Sequence, residues 1–308
     1  MPRRGTSLWL LLFSVIVPLV FVAERGTSAQ QPVFRTSAER VTVAVVARER
    51  NGRPMTGLSA ADFQILDDGQ PRTILDFRSD LSPISLALLL DTSGSMHVGR
   101  KLERASEVGH FLLASMSEGI DEAALFVFDK GVRPAHPFTG EFDRLRSALT
   151  AERAFGATSL YDAIAETSRQ VAVRPGRRAL VVLTDGVDTS SQLTAAEVSG
   201  IASSIDMPVY LVAVGGSLGI SEEPAPKPGQ VSADLTDLAR WSGGMFYQVM
   251  TPAEGSLAAR QIVADLRHQY LLAFEASAAV GWHRIEVRAR QRVTVQARSG
   301  YWVGPSVF

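Results

Sequence analysis

The chain reads as an α/β domain, a mostly parallel sheet with helices on both faces, inserted in or flanked by a small all-β unit. Two observations predict the domain. From residue 84 to about 268, apolar strands alternate with helical patterns, the grammar of strands joined by crossover helices. Runs such as LVVL at 180–183 are apolar at every position, as strands covered on both faces are. A third observation predicts the flanks: apolar and polar residues alternate with period two before residue 84 and again beyond about 270.

Taken in order, the amino end comes first. Arg3 and Arg4 precede an apolar run at 8–22, followed by small and polar residues ending Thr27-Ser28-Ala29. That is the order of a secretory signal, with cleavage after Ala29. The run holds Pro18 and falls short of the about 20 apolar residues a spanning helix needs, although an uncleaved anchor is the rival reading. The expected setting is the periplasm or the outside of a bacterial cell. The chain has no Cys, which excludes disulfides, thiolate metal sites and a thiol nucleophile. Formal net charge is -1, and with +2 in residues 1–29 the remainder is close to -3. Nothing here resembles the basic field that holds nucleic acid.

Residues 30–82 predict a β segment. Val41, Val43, Val45 and Ala47 alternate with Thr42, Ala44, Val46 and Arg48, and Asn51-Gly52 offers a turn. Residues 63–66 and 74–77 flank Asp67-Asp68-Gly69, which predicts a hairpin between them. A calcium loop at Asp67-Asp68 is the alternative to a plain turn, but no further carboxylate follows at ligand spacing. Within 83–268 the expected strands are 84–90, 123–128, 179–183, 209–214 and 245–249. The expected helices are 101–116, 160–171, 195–204, 233–241 and 256–268. In the second helix Leu160, Ala163, Ile164, Thr167 and Val171 line one face. Residues 215–230, with four Gly and three Pro, read as an exposed loop. In 269–308, Ile285, Val287 and Ala289 oppose Arg284, Glu286 and Arg288, and Val293, Val295 and Ala297 oppose Thr294, Gln296 and Arg298. Two β-rich flanks around one α/β block are expected to pair with each other.

Ligands of open α/β sheets gather at the carboxyl ends of the strands. Three segments place oxygens there: Asp91-Thr92-Ser93-Gly94-Ser95, Gly156-Ala157-Thr158 and Thr184-Asp185-Gly186. They supply carboxylates and hydroxyls without sulfur or imidazole, a hard donor set that suits Mg²⁺ or Mn²⁺. Helix capping is the plain reading of Ser93, Ser95 and Thr158, and Ser159-x-x-Asp162 fits a capping box. Caps do not explain why Asp91 and Asp185 share an edge. Asp188 and Ser190 read as solvated loop residues, with groups that support the metal ligands as the alternative, and Asp129 as an ordinary strand end.

These segments resemble the von Willebrand factor type A family, whose metal-ion-dependent adhesion site is D-x-S-x-S, a separate Thr and a later Asp. Asp91, Ser93, Ser95, Thr158 and Asp185 match those five positions, within DTSGSM, GATSLYDAI and LVVLTDGVDTSS. The words RPMTGLSAADFQILDDGQPRTILDF and LRHQYLLAFEA resemble the flanks of a secreted bacterial subfamily described in Acidobacteria. The resemblance implies a Rossmann-like domain and a non-enzymatic role. It further implies a divalent ion whose open position takes an Asp or Glu carboxylate from a protein partner. In relatives, movement of the later Asp couples to the last helix, which corresponds here to residues 256–268. A metal-independent structural module of an envelope assembly is the rival. Two enzyme readings are remote. Phosphoaspartyl chemistry at Asp91 lacks the lysine that should follow, and a Ser159 nucleophile lacks a base among His97, His110, His136, His268 and His283.

Overall fold

A computed structural model describes residues 40–79, 81–204, 207–215 and 235–304. The signal-like segment, most of the loop read at 215–230 and the first residues of the helix read at 233–241 lie outside them. The first flank holds β1 (Arg40–Arg48), β2 (Phe63–Asp67), β3 (Gln70–Arg72) and β4 (Asp76–Arg78). The central block runs β5 (Ile84–Asp91), α1 (Lys101–Ser115), β6 (Glu122–Phe128), β7 (Val132–Thr139) and α2 (Phe142–Ala151). It continues through α3 (Leu160–Ala172), β8 (Arg177–Thr184), α4 (Ala195–Ser204) and β9 (Val209–Val214). It closes with α5 (Leu235–Ser242), β10 (Phe246–Val249) and α6 (Pro252–Arg267). The second flank holds β11 (Tyr270–Glu275), β12 (Gly281–Ala289), β13 (Thr294–Ala297) and β14 (Gly300–Val303).

The central sheet has the order β10-β9-β8-β5-β6-β7, parallel except for β7. Every residue of β5 is buried because helices cover both faces. Ile84, Leu86, Leu88 and Leu90 face a core completed by α1, α2 and α6. Ala87 and Leu89 face the opposite core, completed by α3, α4 and α5. The helix face read at Leu160, Ala163, Ile164, Thr167 and Val171 is buried throughout. Among the described residues no helix is long and apolar enough to cross a membrane.

The flanks form two four-stranded sheets, β13-β1-β11-β4 and β14-β12-β2-β3, so strands from both chain segments interleave. They enclose a third core around Val43, Val45, Ile65, Leu272 and Phe274. Burial along β1 alternates only at its start. From Val45 to Arg48 both faces are covered, and Arg48 reaches Asp265 on α6.

Three local expectations need correction. Residues 74–77 do not pair with 63–66. Asp68 and Gly69 both have positive φ, 49° and 80°, as a two-residue hairpin turn of this type requires, so the return strand is β3, immediately after the turn. β4 pairs instead with β11. The second correction is an element that was not anticipated: β7, an antiparallel edge strand holding Pro134 and Pro137, with register shifts against β6. The helix after it, α2, also went unpredicted, although Phe142, Leu145 and Leu149 form its buried stripe.

Candidate metal centre

β5 sits between β8 and β6, where the chain reverses its direction of travel across the sheet. Such a switch point opens a crevice at the carboxyl ends of the strands. Asp91 is the last residue of β5 and Asp185 follows the last residue of β8. Both are buried, as are Ser93 and Thr158; Ser95 is partly exposed.

The first segment folds back on its own carboxylate. Asp91 Oδ1 accepts from the Ser93 N–H at 2.8 Å, and Oδ2 accepts from the Thr184 hydroxyl at 2.6 Å. The Ser93 and Ser95 hydroxyl oxygens lie 3.1 Å apart. Neither caps a helix. The 3₁₀ turn that begins at Gly94 has no side-chain cap, and α1 starts only at Lys101, after Arg100 in a left-handed conformation. The capping reading of these serines is therefore withdrawn, and their oxygens remain available to the crevice.

The three segments are laced together. Gly94 N–H donates to the Gly156 carbonyl at 2.9 Å and Phe155 N–H to the Thr92 carbonyl at 2.7 Å. A Cβ at Gly94 would lie 3.2 Å from the Gly156 oxygen, so a side chain there would crowd the crossing. The Thr158 carbonyl accepts from the N–H groups of Thr189 and Ser190, and the Thr158 N–H donates to the Thr189 hydroxyl at 3.0 Å. The helix behind Thr158 is capped from the same distant loop. Asp188 Oδ1 accepts from Leu160 N–H at 2.7 Å, and the Ser191 hydroxyl from Tyr161 N–H at 3.0 Å. Ser159 makes no cap, and Asp162 instead accepts from the N–H groups of Gln192 and Leu193. The box read at Ser159-x-x-Asp162 thus gives way to hydrogen bonds exchanged between the start of α3 and the loop at 188–193. Asp188 and Ser190 are ties between segments, Ser190 through a 2.9 Å contact with the Ser159 hydroxyl, and not free solvated groups.

The electrostatics follow from this burial. Removal from water pushes the Asp91 carboxyl up to about 6. Its hydrogen bonds to Ser93 and Thr184 pull the other way, and the negative charge of Asp185 adds to the rise. Among the described residues no guanidinium pairs with Asp91. Asp185 Oδ2 meets one cation, the Lys101 ammonium, at 2.8 Å. Lys101 stands in the first turn of α1, where the helix dipole disfavours positive charge. Its stem runs past Gly215, whose φ is +98° and whose absent Cβ would lie 3.3 Å from the Lys101 Cε. Sequence reasoning missed Lys101; a cation at a helix start beside a carboxylate-bearing edge is the signal that could have found it. It also missed Thr184 as the hydroxyl that orients Asp91.

This donor set fits a hard divalent ion: two buried carboxylates at one edge, hydroxyls with no capping duty, and one ammonium, that of Lys101, against two carboxylates.

Residues 86–187, 102 of the 308, match the family model of the von Willebrand factor type A domain. A search of curated proteins finds no significant match. Among solved structures, a von Willebrand factor type A protein from Catenulispora acidiphila is similar at 13% identity, with a TM-score of 0.50. That likeness covers 87% of this chain and 76% of the other. BatB from Bacteroides thetaiotaomicron aligns at 19% identity and TM-score 0.47, over 59% of this chain and 98% of its own. An aerotolerance-related membrane protein from Bacteroides fragilis aligns at 21% and 0.47, over 58% and 98%. At such identities the likeness is one of fold. The central block has the type A fold, and the antiparallel sheets of the flanks are additional to it.

Proposed function

We propose that the protein is an exported, non-enzymatic binding protein that takes a carboxylate of a protein partner at a divalent ion held by Asp91, Ser93, Ser95, Thr158 and Asp185. One observation carries the reading: Asp91 and Asp185 are buried together at the switch point, where among the described residues Asp91 meets a hydroxyl and a backbone N–H but no guanidinium, and Asp185 meets a single ammonium. Ser93, Ser95 and Thr158 would hold Mg²⁺ or Mn²⁺ through neutral oxygens, with Asp91 and Asp185 supplying charge. When bound, the ion offers a positive pole to an outside Asp or Glu. The chain's own work is positional. Thr184 and the Ser93 N–H fix the Asp91 oxygens, the loop ties fix Thr158, and Lys101 holds one oxygen of Asp185.

Wild-type melting temperature should rise with added Mg²⁺ or Mn²⁺, and Asp91→Ala or Asp185→Ala should abolish the rise. A melting point indifferent to either ion up to millimolar concentration would overturn the proposal. The second reading, a metal-independent structural module, draws on the Lys101–Asp185 ion pair, because it already gives Asp185 a cation. Affinity capture from the native envelope, in Mg²⁺ against chelator, separates the two. A partner that Asp91→Ala still captures in chelator belongs to the structural module.

A further inference from the structure

The flanking β unit gathers Asp67, Asp68 and His283. Asp67 ends β2, Asp68 is the left-handed first residue of the β2–β3 turn, and His283 comes from β12, which pairs with β2. One ligand atom from each lies within 4.8 Å of the others. His283 Nδ1 is 2.8 Å from Asp68 Oδ2 and 3.5 Å from Asp67 Oδ1.

The far side of each group is already engaged. Asp67 Oδ2 accepts from Tyr301 Oη at 3.0 Å and from Arg72 Nε at 2.9 Å. Asp68 Oδ1 accepts from Arg284 N–H at 2.9 Å. His283 Nε2 lies 2.8 Å from the Ala279 carbonyl, which can only accept, so Nε2 carries a hydrogen. The imidazole ring also stacks on Tyr301, with centroids 5.1 Å apart. Three outer atoms are thus anchored, and three inner atoms, one nitrogen and two carboxylate oxygens, converge. Anchoring the second nitrogen of a histidine on a backbone carbonyl is how proteins orient a metal-ligating imidazole.

Two carboxylates around an imidazole nitrogen need positive charge among them, which either a protonated His283 or a bound cation supplies. A proton on Nδ1 would point to Asp68 Oδ2 at 2.8 Å and would leave Asp67 Oδ1 unserved. That oxygen is buried and has no hydrogen-bond donor. Leaving it so costs about 1–3 kcal/mol or more for a charged group. A cation satisfies all three atoms at once. Ligands about 2.1 Å from a common ion stand about 3.0–3.4 Å apart, close to the observed 2.8 and 3.5 Å.

We infer that Asp67, Asp68 and His283 form a second metal site, distinct from the one at the sheet edge, for a borderline divalent transition ion of the Zn²⁺ class. One imidazole nitrogen and two carboxylate oxygens suit that class better than Mg²⁺ or Ca²⁺, which prefer oxygen alone. Three protein ligands leave a position open, and the Asp68 side chain, 53% exposed, gives access to it from solvent. The site also staples β2 to β12, strands more than 200 residues apart in the chain.

The test is titration calorimetry of Zn²⁺ into the full chain carrying Asp91→Ala, which removes the sheet-edge site from the measurement. One equivalent should bind. His283→Gln or Asp68→Asn added to that background should abolish it, and Tyr301→Phe should weaken it by about 10-fold through the lost outer contact. Because His283 is buried and its variant risks misfolding, Asp68→Asn, at an exposed side chain, is the deciding variant. Circular dichroism shows whether it folds. Absence of binding in the Asp91→Ala chain, or an equivalent that survives Asp68→Asn, overturns the inference. The experiment is independent of any Mg²⁺ effect at Asp91, so either site fails alone.

Discussion

Before β6, at the amino edge of the parallel sheet, buried Asp121 accepts from Ile84 N–H at 3.0 Å and Ser117 N–H at 2.7 Å. It also takes two bonds from Arg267, at 3.1 and 2.6 Å. At the carboxyl edge, Asp91 receives one backbone N–H and one hydroxyl. Burial pushes both carboxyls up, yet Asp121 ends below the ordinary range because Arg267 and the two amides outweigh it, whereas Asp91 ends near 6. The helix end over the amino edge is treated likewise. Arg177 donates to the carbonyls of Leu266, Arg267 and Gln269, and Arg48 grips both oxygens of buried Asp265. Both carboxyls are shut off from solvent, but among the described residues only Asp121 has a guanidinium partner, so the charge at the amino edge is paired and the charge of Asp91 at the carboxyl edge is not.

The same contrast bears on α6. Its carboxyl end carries the Arg48, Arg177 and Asp121 contacts together, so a large displacement of this helix would break several buried polar bonds at once. Such a clamp argues against the helix movement that the family resemblance suggested for residues 256–268.

The largest effect should come from breaking the structural side. Arg48→Ala leaves Asp265 buried without its guanidinium. Even with Arg48 present, burial holds the Asp265 carboxyl above its usual range. A loss of about 3–5 kcal/mol is expected in urea denaturation near neutral pH. A loss below about 1 kcal/mol, the range of exposed ion pairs, would break the comparison.

The middle effect has the opposite sign. In chelator, Asp91→Asn should stabilise the protein. The Asp91 carboxyl is raised from 3.8 to about 6 on folding, so its favourable contribution is complete below about pH 3.8 and is lost as pH rises through about 6. Above that the ionised group is a burden of up to about 3 kcal/mol. The difference in stability between Asp91→Asn and wild type should therefore grow between about pH 4 and 7 and then level off. A variant less stable than wild type at neutral pH in chelator would show that the edge is not strained by its own charge.

Much of this was legible in the sequence, and most of the part that was not shares one cause. The apolar run of β5, the LVVL of β8 and the helical face of α3 depend on local period, and local period survives without knowledge of neighbours. The acids of the first and third segments, Asp91 and Asp185, could be placed because strand ends follow from strands. What escaped was non-local. Asp188 caps a helix 28 residues earlier in the chain, Lys101 reaches Asp185 across 84 residues, and His283 meets Asp68 across 215. β7 was hidden differently: its prolines argue against a strand unless it is known to lie at an edge.

The smallest effect sharpens the comparison at the carboxyl edge itself. There the loops are held by caps exchanged between segments and not by guanidinium pairs. Asp188→Ala removes the acceptor for Leu160 N–H and for the Ser191 hydroxyl, which lies 2.6 Å from it. Loss of a helix cap costs about 1 kcal/mol. The Thr158 segment would then be tied to the Asp185 loop through Thr189, Ser190, the Asp162 contacts and the Ser191 hydroxyl, which loses its own anchor on Asp188. Asp188→Ala should therefore lower urea stability modestly while reducing the Mg²⁺-induced rise in melting temperature by a larger fraction. Asp188 is not among the residues assigned to the ion, so a selective loss of the metal response would trace to the position of Thr158. An unchanged metal response beside an unchanged stability would mean that the two loops hold their places without this cap.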